Sequence, residues 1–497
     1  MAGAISTTLA AARKCCRLLL VVRLVAATIE QRPRGLIRSE QRATGLKSAL
    51  EGIIRRDPAQ QIFEIEASIR PAYEAFPKNA MGRIPTREIF PGIVRSFFAK
   101  EHGWLIKGLE PPSVKMRAAQ VHEAAVLESA PALLKALKEE EAGMHPGGGM
   151  SLSDIVRTIV ALEHLLLDQS LPLLHGAYAL NNFSEAKRLA EAEVHEVLRS
   201  YMLLFRSGDV VNVTDVVGHS KMKAWAQDSP EWPSLKAFEG GVVRDAAPPE
   251  TEFAFHDVSD MARLMARRFG KWQNAECVDM KDTLMSLSKN ESLGRVALET
   301  FRGEPAHDNY QFTETDEDLK RVGALEEAAD GNKSVLIANY LLSPSNCIAS
   351  SKYFSVCCLN ECEVLRSELE VRIQDTVSSP DALLAMVVAL VPASSSLQSR
   401  TQGESSALTA QLYAIAERHD GAVPLHSADF QRWLHDALPN ECPKPSAADS
   451  AAEESEMAAA AEWLHELPQK CSRVTRWQAA MHEELEVKSE GDVLLNV

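Results

Sequence analysis

The stretch Pro77-Lys78-Asn79-Ala80-Met81-Gly82-Arg83-Ile84-Pro85-Thr86-Arg87-Glu88 decides how the rest of the chain is read. A loop that folds around a hard cation between two helices needs oxygen ligands at its first, third, fifth and twelfth positions and a glycine at the sixth for the sharp turn. It also carries an apolar eighth residue that pairs with a sister loop. Here Gly82 supplies the turn, Ile84 the apolar position and Glu88 the terminal carboxylate, and Asn79 alone stands at the remaining ligand positions. The frame is present while most of the chelate is missing.

Helical periodicity flanks this loop on both sides. Ile62, Ile65, Ile69, Tyr73 and Phe76 recur at helical spacing before it, with Pro71 as a bend and Pro77 as a stop. After it, Ile89, Ile93, Val94, Phe97 and Phe98 share one face, with a bend expected at Pro91. The same frame recurs in 289–300, with Gly294, Val296 and only Glu291 as a ligand, and in 416–427, with Gly421, Val423 and only Asp420. A weaker match around Met150 and Leu152 is the expected sister of the first loop. These are EF-hand-like loops stripped of carboxylates. Asn79 and Glu88 form the best pair for a weak calcium site, and no bound cofactor is expected.

With 497 residues the chain exceeds one ordinary core, so two helical domains with short strand pairs are expected. We divide it into a basic segment over 1–40, a helical domain over 57–207, a connection over 208–252, a second helical domain over 253–442, and a low-complexity tail with a peripheral helix over 443–497. The first domain carries a strongly apolar helix near 153–169, broken or kinked at Pro172, and a long helix from the cap Ser184 to Phe205. Trp225 and Trp232 lie in the connection and are expected to pack it onto a domain. In the second domain the periodic segments fall at 259–272, 278–287, 298–302, 316–325, 360–375, 380–391 and 405–418. Strand character is confined to 333–341 and 353–358.

A net charge of -16 without a basic face argues against nucleic-acid binding. The first forty residues are an exception. Arg13, Lys14, Arg17, Arg23, Arg32, Arg34 and Arg38 precede or surround the first acid, Glu30, which reads as an address to mitochondrion or plastid, with the secretory pathway as the alternative. No apolar run is long enough for a membrane span in the mature chain.

Cys347, Cys357, Cys358 and Cys362 cluster within sixteen residues, with Cys442 much later. Reduced buried thiols are the first expectation, one or two disulfides the second and a zinc knuckle the last, because the paired spacing zinc prefers is missing. The sequons at Asn182, Asn212, Asn290 and Asn332 matter only for a secreted chain. His164, His175 and His195 lie on apolar helices near Glu163 and Glu191, yet the Glu-x-x-His spacing of a carboxylate-bridged metal site is missing, so they read as core-edge histidines. The sequence holds no phosphate loop, nucleophile elbow or zinc-protease helix.

The segments Glu101-His102-Gly103-Trp104-Leu105-Ile106-Lys107-Gly108-Leu109-Glu110-Pro111, Asn339-Tyr340-Leu341-Leu342-Ser343-Pro344-Ser345-Asn346-Cys347, Tyr353-Phe354-Ser355-Val356-Cys357-Cys358 and Asn440-Glu441-Cys442-Pro443 resemble those of a family of uncharacterised proteins from unicellular algae with degenerate EF-hand character. The resemblance spans about residues 60 to 443. It implies the helical architecture and supplies no catalytic residue. The tail departs from members that end in hydrophobic segments. The expectation is a non-enzymatic scaffold that engages protein partners through helix pairs. A calcium-responsive sensor is the alternative, and a metal- or thiol-dependent enzyme comes a distant third.

Overall fold

The computed structural model describes residues 46–54, 59–109, 124–142, 149–169, 171–207, 213–246, 252–288, 293–303, 312–347, 349–391, 397 and 402–445. Helices carry most of these residues, and strands are few, short and antiparallel. The apolar stripe read before the first loop becomes α1, Ala59–Ala75, which buries Ile65, Ile69 and Tyr73 and contains Pro71. Beyond the loop, α2, Thr86–Ile89, runs through a π turn, Phe90–Val94, into α3, Arg95–His102. Pro91 lacks the N–H that a regular turn would use, which accounts for the wider turn at the expected bend.

The chain then forms β1, Trp104–Ile106, and α4, Pro131–Ala142. α5, Leu152–Asp168, opens on a capping box between Ser151 and Asp154, and its apolar residues from Ile155 to Leu167 are buried except half-buried Leu165. α6, Leu171–Leu180, starts anew with Pro172 in its first turn, where a missing N–H costs nothing.

The long helix expected from Ser184 is not formed. Residues 181–188 are a loop, β2 is Leu189–Ala190, and α7 begins only at Glu191 and ends at Ser207. Leu189 pairs with Phe253 of β3, Glu252–Phe253, and the two side chains are buried together. A cross-strand partner far along the chain thus outweighs the local cap.

The stretch read as a connection is largely helical. It holds α8, Val216–Asp228, capped by Asp215, and α9, Trp232–Ala246. Trp225 and Trp232 pack against the main core, as expected. Helical periodicity was masked there by Pro230 and Pro233, which sit between and at the start of the helices rather than inside them.

The segments read as two helices near 259–272 and 278–287 are one, α10, Phe255–Leu287. It is the spine of the molecule. Its first half places Val258, Met261, Met265 and Phe269 in a large apolar cluster with α1, α3, α5, α6, α7 and α9. Its second half gives Cys277, Met280 and Leu284 to a smaller cluster with Val296, Phe301, Phe312, Leu319 and Tyr340.

That second cluster is closed by β4, Arg295–Ala297, α11, Leu298–Phe301, α12, Asp316–Arg321, β5, Leu325–Glu327, β6, Lys333–Leu336, and α13, Ile337–Leu341. The run expected as one strand over 333–341 therefore turns helical at Ile337. β7, Ala349–Ser350, and β8, Phe354–Val356, follow, and β8 pairs with β1 across 250 positions, from Trp104 to Val356 and Ile106 to Phe354. A third cluster joins α14, Glu361–Ile373, β9, Val377–Ser378, α15, Pro380–Leu390, α16, Gln402–Arg418, β10, Val423–Pro424, and α17, Ala428–Ala437. The segments 1–40 and 446–497, including the helix expected near 457–467, lie outside the described residues. No helix among the described residues is long and apolar enough to cross a membrane.

Candidate functional site

The first loop is built around its predicted residues. Gly82 adopts φ +69°, the left-handed region that glycine enters without strain. Its carbonyl accepts a 2.7 Å hydrogen bond from the Tyr73 hydroxyl on α1. Asn79 Oδ1 accepts from the backbone N–H groups of Met81 and Arg83 at 2.9 and 3.1 Å, so this oxygen organises the turn. Ile84 is fully buried and exchanges two backbone hydrogen bonds with Met150, at 3.2 and 3.0 Å. The expected sister is therefore the partner found. Glu88 falls on α2, and its side chain lies outside the described residues.

Short antiparallel pairs occur at three further places. Val296 pairs with Val335, Leu189 with Phe253, and Val423 with Ser378. Gly294 and Gly421 take φ +72° and +86°, in the left-handed region that glycine enters without strain. Asp420 is exposed and left-handed, whereas Glu291 lies outside the described residues. Sequence reading found Val296 and Val423 but not their partners. Val335 sits in a hairpin with its own local pattern, and Val377-Ser378 precedes Pro380 with no turn glycine to mark it.

The structure bridges all four clustered cysteines, so the reduced-thiol expectation is corrected. Cys347 joins Cys357, Cys358 joins Cys277 on α10, and Cys362 joins Cys442. The last two partners are 81 and 80 residues distant, so spacing could not reveal them. The bridges meet where the three apolar clusters adjoin, around a cleft of about 160 Å³ whose wall includes Arg95, Trp104, Asn339, Cys357, Glu363 and Arg366. Asn339 holds the chain leaving this cleft through both ends of its amide, donating to the Lys444 carbonyl at 3.0 Å and accepting from its N–H at 2.7 Å. Buried Glu363 accepts from Ser96 at 2.8 Å and from Arg366, with Arg95 at 3.8 Å. Burial raises its pKa, but the charges of Arg366 and Arg95 more than offset that, and the carboxyl stays below its ordinary range.

Three buried carboxylates elsewhere are paired in the same manner. Glu163 on α5 lies 3.1 Å from His102 Nε2 and 2.7 Å from Arg267 Nε, and also accepts from Gln61. Burial pushes its pKa up, while the His102 hydrogen bond and the Arg267 charge pull it down further, to about 2. Fully buried Glu239 holds His195 Nδ1 at 2.5 Å and Arg199 Nε at 3.3 Å. Glu370 lies 3.1 Å from His426 Nε2. His164 faces Gln61 at 3.3 Å, and His175 pairs with Glu185 at the surface. Each of these groups is spent on a neighbour within the fold. Among the described residues no group of three or more His, Cys, Asp or Glu side chains is placed to hold a metal ion.

No family model matches the chain, and neither the curated proteins nor the solved structures contain a significant match.

Proposed function

We propose that the protein is a non-enzymatic helical scaffold built on degenerate EF-hand-like units, whose helix pairs offer surfaces to protein partners. The observation that carries this reading is the Ile84–Met150 exchange of backbone hydrogen bonds between two helix-flanked turns, with its left-handed Gly82 at the sixth position. Two of the three further short pairs, at Val296 and Val423, also follow a left-handed glycine, which supports it. Hard cations require several anionic oxygens to replace their hydration shell, and the ligand positions of the first loop supply one amide oxygen, Asn79, and one carboxylate, Glu88. Arg83, within that loop, points its guanidinium at the Gly149 carbonyl of the facing turn, 3.5 Å away.

Calcium titration of the full chain, followed by calorimetry and far-ultraviolet circular dichroism at near-physiological salt, separates this reading from a calcium sensor. The scaffold reading expects no heat of binding and no change in helicity. A micromolar transition with helix rearrangement would overturn it in favour of the sensor.

A further inference from the structure

We infer that Asn332 and Asn182 are sites of N-linked glycosylation and that the chain folds in the oxidising lumen of the secretory pathway. Two independent sets of observations converge on this. The first is the sulfur chemistry. Every cysteine among the described residues is bridged, and two of the three bridges close loops of some eighty residues. Reducing compartments keep such thiols apart, whereas the secretory lumen forms and preserves the bridges.

The second is where the acceptor motifs fall. Asn332, the acceptor of Asn332-Lys333-Ser334, sits at the tip of the β5–β6 hairpin just before β6, and residues 328 to 332 are all exposed. A Cβ built on neighbouring Gly331 would meet nothing within 4 Å, so the space around the tip is open. Asn332 Nδ2 donates to Asp330 Oδ2 at 2.7 Å, and a glycosylated amide keeps one N–H with which to make that bond. Asn182-Phe183-Ser184 lies on the exposed loop after α6, with Asn182 itself exposed at φ +59°. Neither asparagine supports the core, so a bulky polar glycan costs no packing at either position. Ser334 is half-buried in β6. That is no obstacle when transfer precedes folding. The sequons at Asn212 and Asn290 lie outside the described residues.

In the transfer step the donor is an oligosaccharide on a polyprenyl diphosphate. A bond forms between Asn Nδ2 and the sugar C1 as the C1–O bond to the diphosphate breaks. The diphosphate leaves on its lipid, one amide proton passes to a basic group of the transferase, and nothing is oxidised or reduced.

The test is made on the full chain, produced through its own N-terminus in a eukaryotic cell. Non-reducing peptide mapping reads the disulfides, and peptide N-glycosidase digestion in heavy-oxygen water labels each formerly glycosylated asparagine as aspartate. The expected result is label at Asn332 and Asn182 together with the three bridges. Asn332→Gln and Ser334→Ala should each abolish one glycosidase-sensitive mobility step. The serine variant keeps Asn332 and its turn, so loss of the step there reports the sequon rather than a folding defect. Unlabelled Asn332 and Asn182 in a protein whose bridges are intact would overturn the inference and point to an oxidising compartment without glycan transfer. Unlabelled asparagines with free thiols at all six positions would overturn it equally.

Discussion

The carbonyl oxygen of His102, at the end of α3, lies 1.9 Å from where a Cβ on Gly270 of α10 would stand. The two helices therefore touch backbone to backbone, and the contact fixes how the first loop unit sits on the spine helix. It also inverts the usual helix preference. Inside a helix, alanine is favoured over glycine by about 1 kcal/mol. Gly270→Ala should instead destabilise the protein by roughly 1–3 kcal/mol, because backbone and not a flexible side chain has to yield. Gly240→Ala on α9, whose Cβ would meet only the tip of Arg244 at 3.7 Å, should stabilise it. Urea denaturation of the two variants checks the opposite signs.

Ile84 and Met150 are 0% and 1% exposed at the first loop pair. Truncating Ile84 to alanine leaves a cavity between two turns held by only two backbone hydrogen bonds. A loss of roughly 2–4 kcal/mol is expected from denaturant midpoints. Gly82→Asn should cost far less, since asparagine tolerates a left-handed φ and nothing lies within 4 Å of the added atom.

Glu163 makes part of the stability depend on acid. Its carboxyl titrates near 2 in the folded protein against an ordinary value of 4.5, so the folded state favours the ionised form. The contribution is complete above the unfolded value and is lost as pH falls from about 4.5 toward 2, at roughly 3 kcal/mol in full. Glu163→Gln should flatten the stability profile across that window. It should also lower stability at neutral pH, because His102 and Arg267 lose the buried charge they face. Thermal unfolding measured at intervals from pH 7 to pH 3 in both proteins checks this.

The bridges should differ in worth according to the loops they close. In the chain-entropy account, the Cys277–Cys358 loop of 81 residues is worth about 4.5 kcal/mol and the Cys347–Cys357 loop of 10 about 2.7. Paired Cys→Ser variants of each bridge, compared by thermal melting, should show the larger drop for the first. Equal drops would mean that local strain or residual unfolded structure, not loop length, dominates.

Much of the helical architecture was legible in residue order. Apolar spacing and caps located α1, α5, α14, α15 and α16, because those signals act within one or two turns of the chain. The Gly82 and Ile84 frame likewise announced its turn, and it led correctly to Met150. The misreading at 184–188 has a long-range cause. At Ser184 a good local cap suggested a helix, yet Leu189 gains more by pairing with Phe253, a residue that no local pattern connects to it.

For the candidate site, sequence named four cysteines and the turn glycines but not what they do together. Cys277 carries no local mark, nothing in the sequence joins Cys442 to Cys362 80 residues away, and Glu163 meets His102 and Arg267 only when α3, α5 and α10 converge. Order along the chain thus determined the helices and their turns through short-range backbone geometry. Tertiary structure decided which turns pair, which thiols bridge and which charges are buried, because those energies arise only between groups that folding brings into contact.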